Sequence, residues 1–219
     1  CGANCVKFQS WNEDSLYSSS YYSENPIAKR IVKKFAFEPE QLKKLSEYSN
    51  SIGIDFASTP YSEIEAKFLV EECNVPFIKI ASMELNNHKY LSYLSSLNSP
   101  LILSTGMGEI DEIISAVNVI EKASNKKIII LHCSSVYPSP PEIIRLLNVE
   151  GLRKKFPQYP IGFSDHSEGI EIPIAAVALG ASVIEKHFTL DKTRIGMDNK
   201  MATEPNVFKE MIEKCNLVH

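Results

Sequence analysis

The sequence predicts an α/β fold of the (β/α)₈ TIM-barrel class that lacks its first strand within this chain. Three observations lead there. Seven short β-like runs recur at roughly 20–50-residue spacing, with amphipathic or Ala-rich stretches between them. That alternation implies a parallel sheet wrapped by helices. The runs end, one after another, in hydroxyls, lysines, carboxylates or histidines, and a barrel builds its site at the C-terminal ends of its strands. Finally, neither GxGxxG nor GxxxxGK[ST] occurs, so the alternative of a doubly wound nucleotide-binding sheet gains no support. A full barrel takes about 250 residues. This chain has 219 and opens almost directly on a strand, so the first strand is expected upstream of residue 1.

In order, the runs are CVKFQ (5–9), GIDFAST (53–59), FIKIAS (77–82), LILST (101–105), KIIILHCSS (127–135), IGFSDH (161–166) and VIEKHF (183–188). FEPEQLKKLSEYSNSI has a proline in its first turn and apolar residues at helical spacing. SEIEAKFLVEECN opens on Ser62 with Glu65 three residues later, a capping-box pattern. GEIDEIISAVNVIEKASN reads as a third helix, and SEGIEIPIAAVALGA as a fourth between the last two strands. A strand–helix–strand unit of that kind crosses over right-handed and brings both strand ends to one edge of the sheet.

The length suits one sizeable core. The net charge of −4 and the absence of a basic stripe argue against nucleic acid. No apolar run reaches the 18 residues of a membrane span. CGANCVKFQS has neither a basic n-region nor an apolar h-region, and without an initiator Met the front reads as cut or processed. Cys1, Cys5, Cys73, Cys133 and Cys215 are odd in number, scattered and free of zinc-finger spacing, the pattern of reduced thiols in a cytoplasmic protein.

The strand ends supply the candidate site. Lys7 and Gln9 are two apart and share a face. Ser58 and Thr59 follow; then Lys79, Ser82 and Glu84; Ser104 and Thr105; His132, Ser134, Ser135 and Tyr137; Ser164, Asp165 and His166; and Glu185, Lys186 and His187. A lysine inside a β pattern is expensive to bury without a partner. Two lysines among several hydroxyls therefore make a cradle for a compact, multiply charged anion carrying phosphate and carboxylate. His166 and His187 each close a strand, and two neutral imidazoles at one edge suit a divalent metal with open coordination positions. His132, at the end of an apolar run, reads as packing rather than ligation. His88, in LNNHKYL, reads as an exposed loop residue. Asp165 should point opposite to its neighbours and either orient a ligand histidine or hold a loop.

VKFQ, GIDFASTPYS, IKIASMELNN, LILSTGMG, LHCSSVYPSPPE, IGFSDHSEG, ALGASVIEKHFTLD and GMDNKMATEP together resemble the N-acetylneuraminate (sialic acid) synthase family over nearly the whole chain. The resemblance implies a cytoplasmic, dimeric enzyme that condenses phosphoenolpyruvate with an N-acylated mannosamine-type sugar, giving a nine-carbon 2-keto acid and phosphate. It implies phosphoenolpyruvate contacts at Lys7, Thr59, Lys79, Ser82, Ser104 and Ser164, with Tyr137 alongside and Gln9 in the same motif as Lys7. It makes His166 and His187 ligands of a divalent ion, Mn²⁺ first and Mg²⁺ or Co²⁺ as alternatives, and it places Glu84 and Asp198 at the sugar acceptor. Ser135 stands where many relatives carry Asn beside the phosphate, and Asn199 departs from a common GPDH. By the same resemblance, residues 1–219 are expected to correspond to the barrel domain, with the family's first strand and its C-terminal antifreeze-like domain expected beyond them. The alternatives are a phosphoenolpyruvate-dependent aldolase acting on a sugar phosphate and a truncated, non-catalytic barrel.

Overall fold

In the computed structural model, which describes residues 1–196 and 198–219, seven parallel strands pair in strict chain order. They are β1 (Cys5–Ser10), β2 (Asp55–Pro60), β3 (Ile78–Ile80), β4 (Leu101–Ser104), β5 (Ile128–Cys133), β6 (Ile161–Asp165) and β7 (Ile184–Lys186). Three short helices, α1 (Glu13–Leu16), α2 (Ser19–Glu24) and α3 (Pro26–Phe35), follow β1 before α4 (Pro39–Ser51). Then come α5 (Glu63–Glu71), α6 (His88–Ser96), α7 (Ile110–Lys122), α8 (Pro141–Ile144), α9 (Leu147–Lys155), α10 (Glu171–Ala178) and α11 (Pro205–Val218). None is long and apolar enough to cross a membrane, among the described residues.

The sheet is curled. Seven strands laid flat would put β1 and β7 about 29 Å apart, at roughly 4.8 Å per spacing. Yet Lys7 Nζ of β1 lies 3.8 Å from Glu185 Oε2 of β7. No backbone pairing joins β1 to β7 among the described residues.

Curling gives the strands a convex and a concave face, and the period-2 alternation assigns side chains to each. Phe56, Ile78, Ile80, Leu101, Leu103, Ile130, Ile161 and Phe163 face outward into one hydrophobic core. That core is completed by Leu42 of α4, Leu69 of α5, Leu91 and Leu94 of α6, Ile120 of α7 and Leu152 of α9. The intervening residues face inward, and there lie Lys7, Lys79, Ser104, Ser164 and Glu185. The apolar residues that hold the fold are thus on the far side of the sheet from its polar cluster.

One expected loop is a helix. Asn87 accepts a hydrogen bond from the Tyr90 N–H and caps α6, whose Tyr90, Leu91 and Leu94 are buried. His88 is the first residue of that helix, exposed, and not part of a loop.

Candidate active site

Glu185 is the hub of the concave face. Its Oε1 accepts a hydrogen bond from the Ser164 hydroxyl at 2.9 Å and lies 3.5 Å from Lys79 Nζ, while Oε2 faces Lys7 Nζ. Lys79 is almost fully buried and donates to Ser104 Oγ at 2.6 Å. Four strands, β1, β3, β6 and β7, thereby meet on one carboxylate. Burial pulls upward on the Glu185 pKa, but Lys7, Lys79 and the Ser164 hydroxyl outweigh it and hold the value at about 2. Burial lowers the Lys7 pKa, against the upward pull of Glu185.

Beside this hub is a cluster of small groups. Ser82 opens a single 3₁₀ turn, Ser82–Glu84, after β3. The Gly106 N–H, just beyond β4, points at both Ser82 Oγ (3.0 Å) and Cys133 Sγ (3.1 Å). A Cβ on Gly106 would sit 2.3 Å from Ser135 Oγ and 2.9 Å from both Cys133 Sγ and Ser82 Oγ, so only glycine lets the backbone approach this closely. Ser135 therefore lies beside the Ser82–Cys133 contact.

The histidines form the other side. The His166 and His187 ring centres are 5.5 Å apart, and Tyr137 stacks on His166 with ring centres 4.2 Å apart. His166 Nδ1 is 2.7 Å from Ser134 O. A carbonyl only accepts, so Nδ1 carries the proton and Nε2 keeps its lone pair. Burial lowers the pKa of His166. Burial, then His166 and Lys7, lower that of His187 to about 4. Both imidazoles are neutral at pH 7, the form that ligates metal. His187 Nδ1 lies 3.8 Å from Asp198 Oδ2, and burial raises the Asp198 pKa. Among the described residues no three His, Cys, Asp or Glu side chains converge as a closed cage. The donor set fits an ion held by two imidazoles, with its other positions left for water or substrate oxygens.

The remaining residues are more peripheral. Gln9 and Thr59 are register partners on β1 and β2, and the alternation places them on the face of Lys7. Glu84 accepts from its near neighbour Asn87 at 2.8 Å. Asp165 points the opposite way from Ser164 and forms an ion pair with Lys186, both side chains fully buried. It also accepts from the Ser167 N–H and hydroxyl, so it holds the loop after β6. His132 likewise faces outward, with Nε2 2.6 Å from Ile144 O.

The sequence lists Glu185 among polar strand ends but gives it no role. Its register opposite Ser164, and its position two residues before His187, put it on the site face.

The arrangement offers two cations, several hydroxyls, a close backbone N–H and a pair of neutral imidazoles around one concavity, which is chemistry for an anionic substrate and a divalent ion. The profile of the NeuB family matches residues 1–219. An uncharacterized protein of Methanocaldococcus jannaschii is 42% identical over 219 residues, covering 100% of this chain and 63% of its own length. The N,N'-diacetyllegionaminic acid synthase of Campylobacter jejuni is 38% identical, covering 95% of this chain and 65% of its own length. The chain thus spans less than two thirds of these relatives. Among solved structures, the N-acetylneuraminic acid (sialic acid) synthetase of Leptospira borgpetersenii serovar Hardjo-bovis, in complex with citrate, superposes with a TM-score of 0.91 at 35% identity, over 99% of this chain and 73% of that one.

Proposed function

Because the chain belongs to the NeuB family, we propose that it supplies the synthase domain of an enzyme that condenses phosphoenolpyruvate with an N-acylated amino sugar and releases phosphate. One observation carries the reading. Lys7, Lys79 and Ser164 converge on the Glu185 carboxylate at 3.8, 3.5 and 2.9 Å, and Lys79 also donates to Ser104, next to two neutral imidazoles. A phosphate, a carboxylate and a divalent ion are the groups this surface is built to hold. Relatives are named for legionaminic acid and sialic acid, so the substrate is read as the class of N-acylated sugars rather than as one member.

In this reading Lys7 and Lys79 offset the charge of phosphoenolpyruvate, and the hydroxyls of Thr59, Ser82 and Ser104 donate to its oxygens, with Ser164 beside them giving its proton to Glu185. The Gly106 N–H is fixed beside them, with Ser135 and Tyr137 at the margin and Gln9 next to Thr59. This set orients the enol face, which removes rotational freedom before reaction. The C2=C3 π pair then forms a bond from C3 to the aldehyde carbon, whose C=O electron pair moves to oxygen and takes a proton, leaving C2 electron-poor. Water adds to C2 and gives up one proton; the C2–O bond to phosphate then breaks as the remaining hydroxyl proton passes to the departing phosphate, leaving the 2-keto acid. His166 and His187 would hold the divalent ion, Mn²⁺ first and Mg²⁺ or Co²⁺ as alternatives, which when bound polarises the aldehyde oxygen. Asp198, whose pKa burial raises, is suited to hold or move a proton beside His187, and Glu84 is the second carboxylate for sugar hydroxyls.

The test is phosphate release by the full-length protein given phosphoenolpyruvate, Mn²⁺ and a panel of N-acylated mannosamine-type and diacetamido sugars. Release that needs both substrates is expected. No release with any sugar would refute the reading.

A further inference from the structure

We propose that Glu185 is a resident counter-ion of the anion cradle, neutralising Lys7 and Lys79 without saturating their donors and thereby limiting how tightly phosphate is held. The proposal deepens the synthase reading and rests on it for the identity of the natural anion.

The geometry separates charge compensation from hydrogen bonding. The two lysines stand 3.8 and 3.5 Å from the carboxylate oxygens. An N–H···O bond spans about 2.7–3.2 Å, so both are ion pairs just outside hydrogen-bond range. Lys79 directs its short bond to Ser104 and a longer one, 3.4 Å, to Ile80 O, which leaves it one N–H, and Lys7 Nζ has no hydrogen bond among the described residues. The carboxylate itself is anchored from a third side by the Ser164 hydroxyl. The lysines therefore keep N–H groups for an incoming anion, while a fixed negative charge sits within ion-pair distance of both.

That charge opposes any second anion. Without it, two ammonium groups in a partly desolvated concavity would bind phosphate strongly and release it slowly, a poor arrangement where phosphate is a product. With it, the cradle carries one net positive charge from these three groups rather than two. At the effective dielectric of a protein surface, one unit charge a few ångströms from a phosphate changes affinity by roughly tenfold or more.

The probe is inorganic phosphate, whose binding to the full-length protein is measured by calorimetry at pH 7 without sugar. Glu185→Gln keeps the shape and the Ser164 contact but removes the charge. The expected result is a phosphate Kd at least about tenfold lower than wild type, a steeper loss of affinity with added salt, and stronger product inhibition. Glu185→Asp keeps the charge and should stay nearer to wild type. Damage to the site would weaken binding, so the sign separates electrostatics from structure. Glu185→Ala, measured in the same way, serves if the Gln variant does not fold. Unchanged or weaker phosphate binding in the neutral variant, or equal tightening in Gln and Asp variants, overturns the proposal. Tightening in a protein that releases phosphate with no sugar would leave the counter-ion standing and remove the synthase reading. Full synthase activity without tightening would do the reverse.

Discussion

Replacing Asp165 with Ala tests how β6 and β7 are held together on the side of the sheet away from the site. Asp165 and Lys186 are register partners on adjacent strands. Their side chains are 0% and 1% exposed, and Nζ and Oδ2 are 2.5 Å apart. Among the described residues Lys186 Nζ has one other acceptor, Ser167 O at 2.8 Å, and Asp165 Oδ1 also fixes the Ser167 N–H and hydroxyl at 2.9 and 2.7 Å. Truncation leaves an ammonium in a dry environment and frees two donors. Removing one partner of a buried pair costs about 3–5 kcal/mol. In a cooperative unit of about 150–250 residues each kcal/mol lowers the melting temperature by about 2–4 °C, so a drop of roughly 6–20 °C is expected in the transition of this unit. The assay is urea and thermal unfolding of the full-length protein in chelator, so that metal linkage does not enter. Asp165→Ala/Lys186→Met removes both charges, and because an apolar replacement of a buried pair is often near neutral, it should recover most of the loss. A single variant within about 1 kcal/mol of wild type, or a double variant no better than the single, would refute the account of this pair.

Three further outcomes are expected. Gly106→Ala drives a methyl into Ser135, Cys133 and Ser82, and should raise the KM for phosphoenolpyruvate at least tenfold while shifting the unfolding midpoint little; steady-state kinetics with unfolding decide it. His166→Ala and His187→Ala should each abolish tight Mn²⁺ binding in calorimetry, and equal Mn²⁺ affinity in either variant would remove that residue from the ligand set. His132 is buried and its pKa is lowered by that burial, so the unfolded chain takes up the proton first. Its contribution is fully present above pH 6.5, its ordinary value, and is lost as the pH falls below that toward the folded-state value; His132→Gln should flatten that limb of a urea-midpoint-against-pH curve.

All seven strands are legible within a few residues because their apolar sides face a core and their turns are punctuated by polar residues. Three strands are three residues shorter than their patterns, KIIILHCSS among them, which narrows to Ile128–Cys133. The FIKIAS run narrows to Ile78–Ile80 because Ser82 already belongs to a 3₁₀ turn, and VIEKHF narrows to Ile184–Lys186. The segment between β1 and α4 is legible only in part. There α1 buries no residue, and α2 and α3 bury only Tyr22 and Val32. Helices α1 and α2, held by Asn12 and Ser18 caps rather than by an apolar stripe, leave no periodic trace, whereas α3 carries Ile27, Ile31, Val32 and Phe35 at helical spacing. LNNHKYL misleads for the opposite reason: its polar opening is the cap and first turn of a helix whose buried residues come afterwards.

The site divides along the same physical line. Alternation alone places Lys7 with Gln9, and sends Ser164 inward and Asp165 outward, because those are relations within one strand. The meeting of Lys7 with Glu185 is a relation between the first and last strands, and it depends on how far the sheet curls. No residue pattern measures that curl. A glutamate between two hydrophobic-to-polar strand ends looks the same whether it faces water or two lysines, and only the curl of the sheet turns it into the carboxylate on which four strands converge. The lysines could be read from sequence as costly charges in need of a partner. The sequence pattern points to an external anion as that partner, and the fold supplies an internal one first.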